Sequence, residues 1–186
     1  KKDIRKIALD RGYNSLVNKS ESYEICFIPD NDYRGFLKRR VKGLEQKVSD
    51  GNFITKDGEI IGKHKGYPFY TIGQRKIGVS LGSQPSYVID INPEQNTVIV
   101  GSKKDLLKRE LYIRDVNYIK YTQVEDGNEY LVKIRYKHSG EMATLYNDSN
   151  NIRVVFHKKV EGIAPGQSAV IYEGNDVIAG GFIMKT

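Results

Sequence analysis

Residues 129–156 read EYLVKIRYKHSGEMATLYNDSNNIRVVF, and this stretch decides how the second half of the 186-residue chain is interpreted. Three apolar-rich segments are separated here by two polar clusters, His138-Ser139-Gly140 and Asn147-Asp148-Ser149-Asn150. Clusters of Ser, Asn, Asp and Gly are typical of turns, and short alternating or apolar segments between them are typical of strands. The stretch therefore predicts three consecutive strands joined by tight turns.

The same pattern continues on both sides of this stretch. From Glu110 onward we predict six strands, at Leu111–Tyr118, Glu129–Tyr136, Glu141–Tyr146, Asn151–Phe156, Ser168–Tyr172 and Val177–Ile183. Six short strands at this spacing indicate a small closed or nearly closed barrel. No internal repeat of 20–50 residues is visible, which argues against a solenoid or a propeller.

The residues before the barrel mix helical and hairpin patterns. Helical spacing occurs over residues 2–11 and 31–41, and hairpins are predicted around Asp57-Gly58 and between 86–91 and 97–100. A short basic turn is expected at 101–109. The expected fold class is mainly β, a small central α+β domain followed by a C-terminal antiparallel β-barrel. The predicted domain boundaries are 1–30, 31–103 and 104–186.

The charge balance and the tyrosine content of the chain indicate which class of partner it binds. The chain carries 30 Lys+Arg against 23 Asp+Glu, a net charge of +7, together with 13 tyrosines. This balance favours a polyanionic partner, nucleic acid before membrane. No apolar run approaches the roughly 18 residues that a membrane span needs. The single cysteine excludes an internal disulfide and predicts a reducing, intracellular setting.

Two segments could carry chemistry, and each has a second interpretation. Residues 62–76 mix glycines, basic residues and aromatics, which suits RNA contact but also a surface loop whose aromatics fill a small core. Cys26, in a predicted buried strand over 25–28, is either a small core hydrophobe or a reactive thiol in an electropositive setting. No phosphate-binding glycine loop and no His/Cys cluster with metal spacing is present, and His64 has no partner ligand. From the residues alone, the chain is an RNA-binding module with at most one nucleophile.

Five motifs, in this order along the chain, closely resemble the tRNA-specific 2-thiouridylase family. They are Lys19–Ile28 with its Ile-Cys-Phe-Ile, Asp57-Gly58 with Ile61–Gly66, Tyr70–Lys76, Ile134–Tyr136 and Pro165–Val170. The resemblance covers nearly the whole chain but only the C-terminal half of the family. The family's N-terminal catalytic domain, with its pyrophosphate loop and first cysteine, is absent, so a fragment is expected.

The resemblance implies a tRNA-uridine 2-sulfurtransferase. Family enzymes adenylate the C2 oxygen of the wobble uridine of tRNA with ATP, and a cysteine persulfide then delivers sulfur. Cys26 matches the persulfide cysteine, whose chemistry depends on thiolate character. Arg135, Tyr136 and Gln167 match positions that contact tRNA. The family has also carried a methyltransferase label, but the chain has no glycine loop of the kind that would hold a methyl donor.

Further expectations follow from the same resemblance. ATP and Mg²⁺ are expected on the missing N-terminal domain, with no cofactor and no metal in this chain. The expected partners are tRNA, a sulfur-carrier protein or cysteine desulfurase, and the missing domain, with no membrane and a cytoplasmic location. The fragment is not expected to be active alone. The alternative is a non-catalytic RNA-binding β-barrel module in which Cys26 is inert.

Overall fold

The computed structural model describes residues 2–17, 28, 30 and 32–185, with the backbone only for Lys2 and Leu16. The chain divides into two compact units, Lys1–Leu44 and Glu45–Thr186. Cys26 lies outside the described residues, and so does most of the strand predicted around it. The structure therefore does not test whether this thiol is buried or exposed.

Short helices form the first unit. They are α1 (Lys2–Asp10), α2 (Asn14–Val17) and α3 (Tyr33–Arg40). Helix α3 begins where the Asp32 side chain accepts a hydrogen bond from the Gly35 N–H at 2.8 Å, which satisfies one free donor of the first turn. Both helices predicted from apolar spacing are confirmed to within two residues at each end. No helix in the described part of the chain is long and apolar enough to cross a membrane.

A four-stranded sheet opens the second unit after α4 (Leu44–Val48). Its strands are β1 (Gly51–Ile54), β2 (Ile60–His64), β3 (Tyr87–Asn92) and β4 (Thr97–Gly101), in the order β2-β1-β4-β3. Both predicted hairpins are confirmed as antiparallel pairs. The two hairpins join through a parallel pairing of β1 with β4, which local patterns did not predict.

The aromatic-rich segment over residues 62–76 contributes to the core of this sheet. His64 is buried, and its ring packs edge-on against Phe53 with centroids 5.1 Å apart. Tyr70 packs in turn against Phe53 at 5.2 Å, and Phe69 of the same segment is also buried. A Cβ on Gly51 would lie 2.1 Å from Cε1 of His64, so only glycine fits there. The interpretation that these aromatics fill a small core is confirmed for these residues.

We expect His64 to make stability depend on pH. Its Nδ1 accepts the Gly66 N–H at 3.1 Å, and burial lowers the pKa of the imidazole below its ordinary value of 6.5. The unfolded chain therefore binds more protons than the folded chain as the pH falls below about 6.5. The contribution of neutral His64 to the free energy of unfolding is therefore complete above about pH 6.5. It is lost progressively as the pH falls from about 6.5 through the lower pKa of the folded state.

Urea unfolding between pH 8 and pH 5 measures this dependence. His64→Phe keeps an aromatic ring against Phe53 and should show a smaller loss of unfolding free energy on acidification than the wild-type chain. Burial also lowers the pKa of His138, so this residue contributes to the pH dependence of stability as well. His138→Phe measures that contribution separately. An identical pH dependence in wild type and His64→Phe would contradict the assignment.

Six strands form a closed antiparallel barrel after the sheet. In the order β10-β5-β8-β7-β6-β9 around the barrel, each strand pairs on both sides. The strands are β5 (Leu107–Tyr118), β6 (Glu129–Lys133), β7 (Glu141–Asp148), β8 (Asn151–Glu161), β9 (Ser168–Glu173) and β10 (Asp176–Ile183). The predicted closed barrel and the mainly β fold class are confirmed.

Alternation along each strand places the barrel core. On β8, Ile152, Val154 and Phe156 are fully buried, while the residues between them are partly exposed. These side chains join one apolar cluster with residues of every other barrel strand. The barrel interior is therefore filled by side chains, and ligands can bind only on its outer surface or at its ends.

Three predicted boundaries of the barrel strands were wrong. Strand β8 ends at Glu161, five residues beyond the predicted Phe156. Residues 107–109, expected in a basic turn, begin β5, because β8 continues to Glu161 and provides a partner for them. A short 3₁₀ helix (Lys103–Leu106), capped by Ser102, occupies the rest of that turn. Strand β6 ends at Lys133 instead of Tyr136, because the His138 N–H donates to the Arg135 carbonyl at 3.0 Å and closes a turn.

Candidate nucleic-acid interface

The three barrel residues singled out from the sequence lie around one surface pocket. Arg135, Tyr136 and Gln167 line a pocket of about 390 Å³, together with Lys133 and Tyr172. The structure thus brings together residues more than 30 positions apart in the chain. Cys26, the fourth predicted site residue, lies outside the described residues.

Pairing between β6 and β9 creates this pocket. The two strands run antiparallel, with Lys133 opposite Val170 and Leu131 opposite Tyr172. Arg135 and Tyr136 follow the end of β6, and Gln167 directly precedes β9. Because antiparallel neighbours bring the end of one strand beside the start of the other, these three side chains meet at one edge of the barrel.

The Pro165-Gly166 pair fixes the position of Gln167. The Gln167 N–H donates to the Ala164 carbonyl at 3.2 Å, and Gly166 has a φ of 83°. A type II turn requires positive φ at its third residue and often has proline at its second, as Pro165 and Gly166 provide here. Gln167 is then held by the last barrel strand, because its carbonyl accepts the Ile183 N–H at 2.8 Å. Its side chain is exposed at the pocket rim.

Arg135 and Tyr136 have different surroundings. A Cβ on Gly162 would lie 2.8 Å from a terminal nitrogen of Arg135, so this glycine leaves the room that the guanidinium occupies. Gly162 also has a φ of 75°, which other residues rarely adopt. Tyr136 is 100% exposed, so both faces of its ring are open to a ligand.

Lys133 and Tyr172 were missed by sequence reasoning. The Lys133 ammonium lies 5.1 Å from the centroid of the Tyr172 ring, a cation–π contact on the outer face of the barrel. Lys133 could have been found, because it alternates with the buried Val132 and Ile134 and so shares a face with Arg135. Tyr172 could not, because its presence depends on the lateral pairing of β9 with β6.

The pocket is cationic at neutral pH. Lys133 and Arg135 are its two charged lining residues, and no acidic residue lines it. Burial lowers the pKa of the neighbouring His138 imidazole, and the charges of Arg135 and Lys133 lower it further, while the charge of Glu141 acts in the opposite direction. Such a surface suits a phosphate group, with tyrosine rings beside it for stacking.

The described residues contain no group of three or more His, Cys, Asp or Glu side chains that could hold a metal ion. His64, the histidine of the aromatic-rich segment, lies in an aromatic core where its Nδ1 already accepts a backbone N–H.

Two known protein families match consecutive segments of the chain. Residues 34–102 match a family model described as the tRNA methyl transferase PRC-barrel domain. Residues 108–183 match one described as the aminomethyltransferase beta-barrel domain. The two matched segments follow one another along the chain, and the second contains the whole candidate pocket.

Curated relatives match over the full chain. A protein named tRNA-specific 2-thiouridylase MnmA from Cytophaga hutchinsonii is 50% identical over 188 residues, which are 100% of this chain and 51% of the relative. Proteins of the same name from Amoebophilus asiaticus and Salinibacter ruber are 50% and 44% identical, each over 98% of this chain and 49% and 48% of the relative. The chain spans about half the length of the curated relatives it matches. It belongs to the family of the tRNA-specific 2-thiouridylases.

Proposed function

We propose that this chain is part of a tRNA-uridine 2-sulfurtransferase that thiolates C2 of the wobble uridine of tRNA in the cytoplasm. The chain contributes a tRNA-binding surface on the barrel and the persulfide cysteine, Cys26. The names of the relatives support the reaction class. The observation that carries the binding role is the shared pocket of Arg135, Tyr136 and Gln167.

The side chains around this pocket suit RNA better than a neutral ligand. A guanidinium can donate two parallel hydrogen bonds to a phosphate, and the Lys133 ammonium adds a point charge beside it. The Tyr136 ring, open on both faces, can stack on an unpaired base. The Gln167 amide offers both a donor and an acceptor to a base or a ribose hydroxyl. One nucleotide can thus meet charge, stacking and hydrogen bonding at once.

Sulfur transfer is assigned to Cys26. The outer sulfur of a Cys26 persulfide would form a bond to C2 of the uridine, while the bond from C2 to its activated oxygen breaks and that oxygen leaves with the activating group. A second thiol would then attack the inner sulfur, which releases 2-thiouridine and leaves a disulfide. An external thiol reductant would reopen that disulfide, and a sulfur-carrier protein or cysteine desulfurase would renew the persulfide.

The described residues do not fit ATP or Mg²⁺. They contain no group of three or more His, Cys, Asp or Glu side chains that could hold a metal ion, and the sequence has no phosphate-binding glycine loop. We therefore assign these residues no part in activating the uridine oxygen. In our proposal, activation belongs to the portion of the relatives that this chain does not span.

Removal of one pocket cation tests the binding role. Arg135→Ala should weaken tRNA binding by the intact protein by about 10-fold or more, because a charge-assisted hydrogen bond is lost. It should also reduce the slope of log K against log salt by about 1, since one phosphate contact disappears. Filter binding or fluorescence anisotropy over a salt series gives both quantities.

Matched variants control this experiment. Lys133→Ala should act like Arg135→Ala, whereas Lys104→Ala removes an exposed cation from the 3₁₀ helix, outside the pocket, and should leave the slope unchanged. If Arg135→Ala and Lys104→Ala gave the same slope as the wild-type protein, the barrel pocket would not contact phosphate, and the proposed tRNA surface would be wrong.

A further inference from the structure

A second cavity lies between the four-stranded sheet and the barrel. Its volume is about 360 Å³, and we call it the sheet–barrel cavity. Tyr67, Tyr70 and Asp90 line it from the sheet, and Ala164 and Lys185 line it from the barrel. Gln167 lines both this cavity and the cationic pocket, so the two depressions adjoin at one side chain.

Aromatic and proline side chains form the walls of the sheet–barrel cavity. Tyr67 and Tyr70 are half-buried and pack on the apolar core of the sheet. The Tyr70 ring is fixed between Phe53 at 5.2 Å and His64 at 5.4 Å, so it needs little ordering to receive a flat ligand. Pro68 and Pro93 add rigid apolar surface. Rigid aromatic walls of this kind favour a planar, stacking ligand.

Two charged side chains stand among these walls. The Lys185 ammonium donates to the Ile91 carbonyl at 2.8 Å and so ties the end of the barrel to strand β3. One Asp90 oxygen accepts the Ile91 N–H at 2.8 Å. A carboxylate has about four lone-pair sites, so Asp90 can still accept hydrogen bonds from a ligand. It also repels a phosphate.

We propose that the sheet–barrel cavity receives one unpaired nucleobase of the tRNA whose phosphate is held by Lys133 and Arg135. This inference rests on the proposed function. In RNA, a phosphate lies next to the base of its own or of the adjacent nucleotide. The cationic pocket and the sheet–barrel cavity are neighbours in the same way, on either side of Gln167. The base stacks on the tyrosine walls, its N–H groups donate to Asp90, and the Gln167 amide contacts the same nucleotide.

A filling variant tests the cavity without touching the cationic pocket. Thr71→Leu with Ala164→Leu places aliphatic carbon on two cavity walls, and Thr122→Leu adds the same side chain to an exposed loop outside both depressions. The double variant in the intact protein should bind a tRNA transcript about 5- to 150-fold more weakly, the range for loss of one stacked base. Its salt slope should equal that of the wild-type protein, since no phosphate contact is lost.

A second measurement locates the base itself. Transcripts with 2-aminopurine at single unpaired positions should show one position whose fluorescence changes on binding to the wild-type protein and to Thr122→Leu, but not to the double variant. Asp90→Asn keeps an acceptor for the Ile91 N–H and leaves the cavity open, yet should weaken binding about 5-fold or more, because the amide presents a donor to the base. This variant keeps the test decisive should the double variant not fold.

The outcomes separate the two proposals. The nucleobase site is overturned if Asp90→Asn and a folded double variant both bind tRNA with wild-type affinity and no fluorescence change depends on the cavity. Salt-dependent tRNA binding, and with it the proposed function, would stand in that case. An absence of salt-dependent tRNA binding in the wild-type protein overturns the proposed function, and this inference with it.

Discussion

Cys26→Ser is expected to abolish 2-thiouridine formation by the intact protein while leaving its affinity for tRNA nearly unchanged. A serine hydroxyl has the size of a thiol but cannot carry a persulfide, so no sulfur can be delivered to C2. The proposed tRNA surface consists of barrel side chains such as Arg135 and Tyr136, which the substitution leaves in place. Activity and binding should therefore separate.

Mass spectrometry of nucleosides from digested tRNA measures the thiolation, and anisotropy measures the binding. Arg135→Ala is the complementary variant, because it should weaken binding while a saturating concentration of tRNA restores part of the thiolation. Normal 2-thiouridine formation by Cys26→Ser would remove this residue from the mechanism.

Thiol reactivity separates the sulfurtransferase from the alternative of a non-catalytic RNA-binding module. A persulfide donor carrying labelled sulfur should load Cys26 in the folded protein faster than in a denatured control, because a reactive thiol depends on an environment that stabilises the thiolate. Faster loading only after denaturation would identify Cys26 as an inert buried residue and would favour the alternative.

The fold was largely predictable because its strands are marked locally. Alternation and turn clusters located all six barrel strands, and the outward position of Lys133 follows from the burial of Val132 and Ile134 on either side. Lateral neighbours were not predictable in this way. A period of two assigns a residue to a face but does not say which distant strand lies beside it. The parallel contact of β1 with β4 and the pairing of β6 with β9 are of this kind.

The residues of the candidate site also fall into those that could be predicted from the sequence and those that could not. Arg135, Tyr136 and Gln167 were identified by resemblance, since a glutamine in a turn and a tyrosine at the end of a predicted strand carry no signal of their own. Tyr172 belongs to the site because β9 pairs with β6, and Gly162 because the Arg135 guanidinium lies close to it. Both relations are visible only in the three-dimensional structure. The sheet–barrel cavity is lined by residues far apart in the chain, such as Tyr70 and Ala164, so no local pattern could have indicated it.

Phe156→Ala is expected to lower the free energy of unfolding of the chain by about 3–5 kcal/mol, the usual cost of removing a buried phenylalanine ring. Phe156 is fully buried in the barrel core and lies opposite Ala143 on β7. In a closed barrel each strand is held by two neighbours, so the walls cannot readily collapse into the space left by the ring.

Phe182→Ala is the matched control for this variant. Phe182 lies on β10 of the same barrel but is 45% exposed, and its ring contacts the Arg114 guanidinium, so its loss should cost about 1 kcal/mol or less. Urea unfolding followed by circular dichroism gives both values. The cationic pocket, the proposed tRNA surface, is built on β6 and β9, and neither strand neighbours β8 in the barrel. Phe156→Ala should therefore keep its tRNA affinity at temperatures where it is folded, so a loss of binding there would show that the pocket depends on core packing across the barrel.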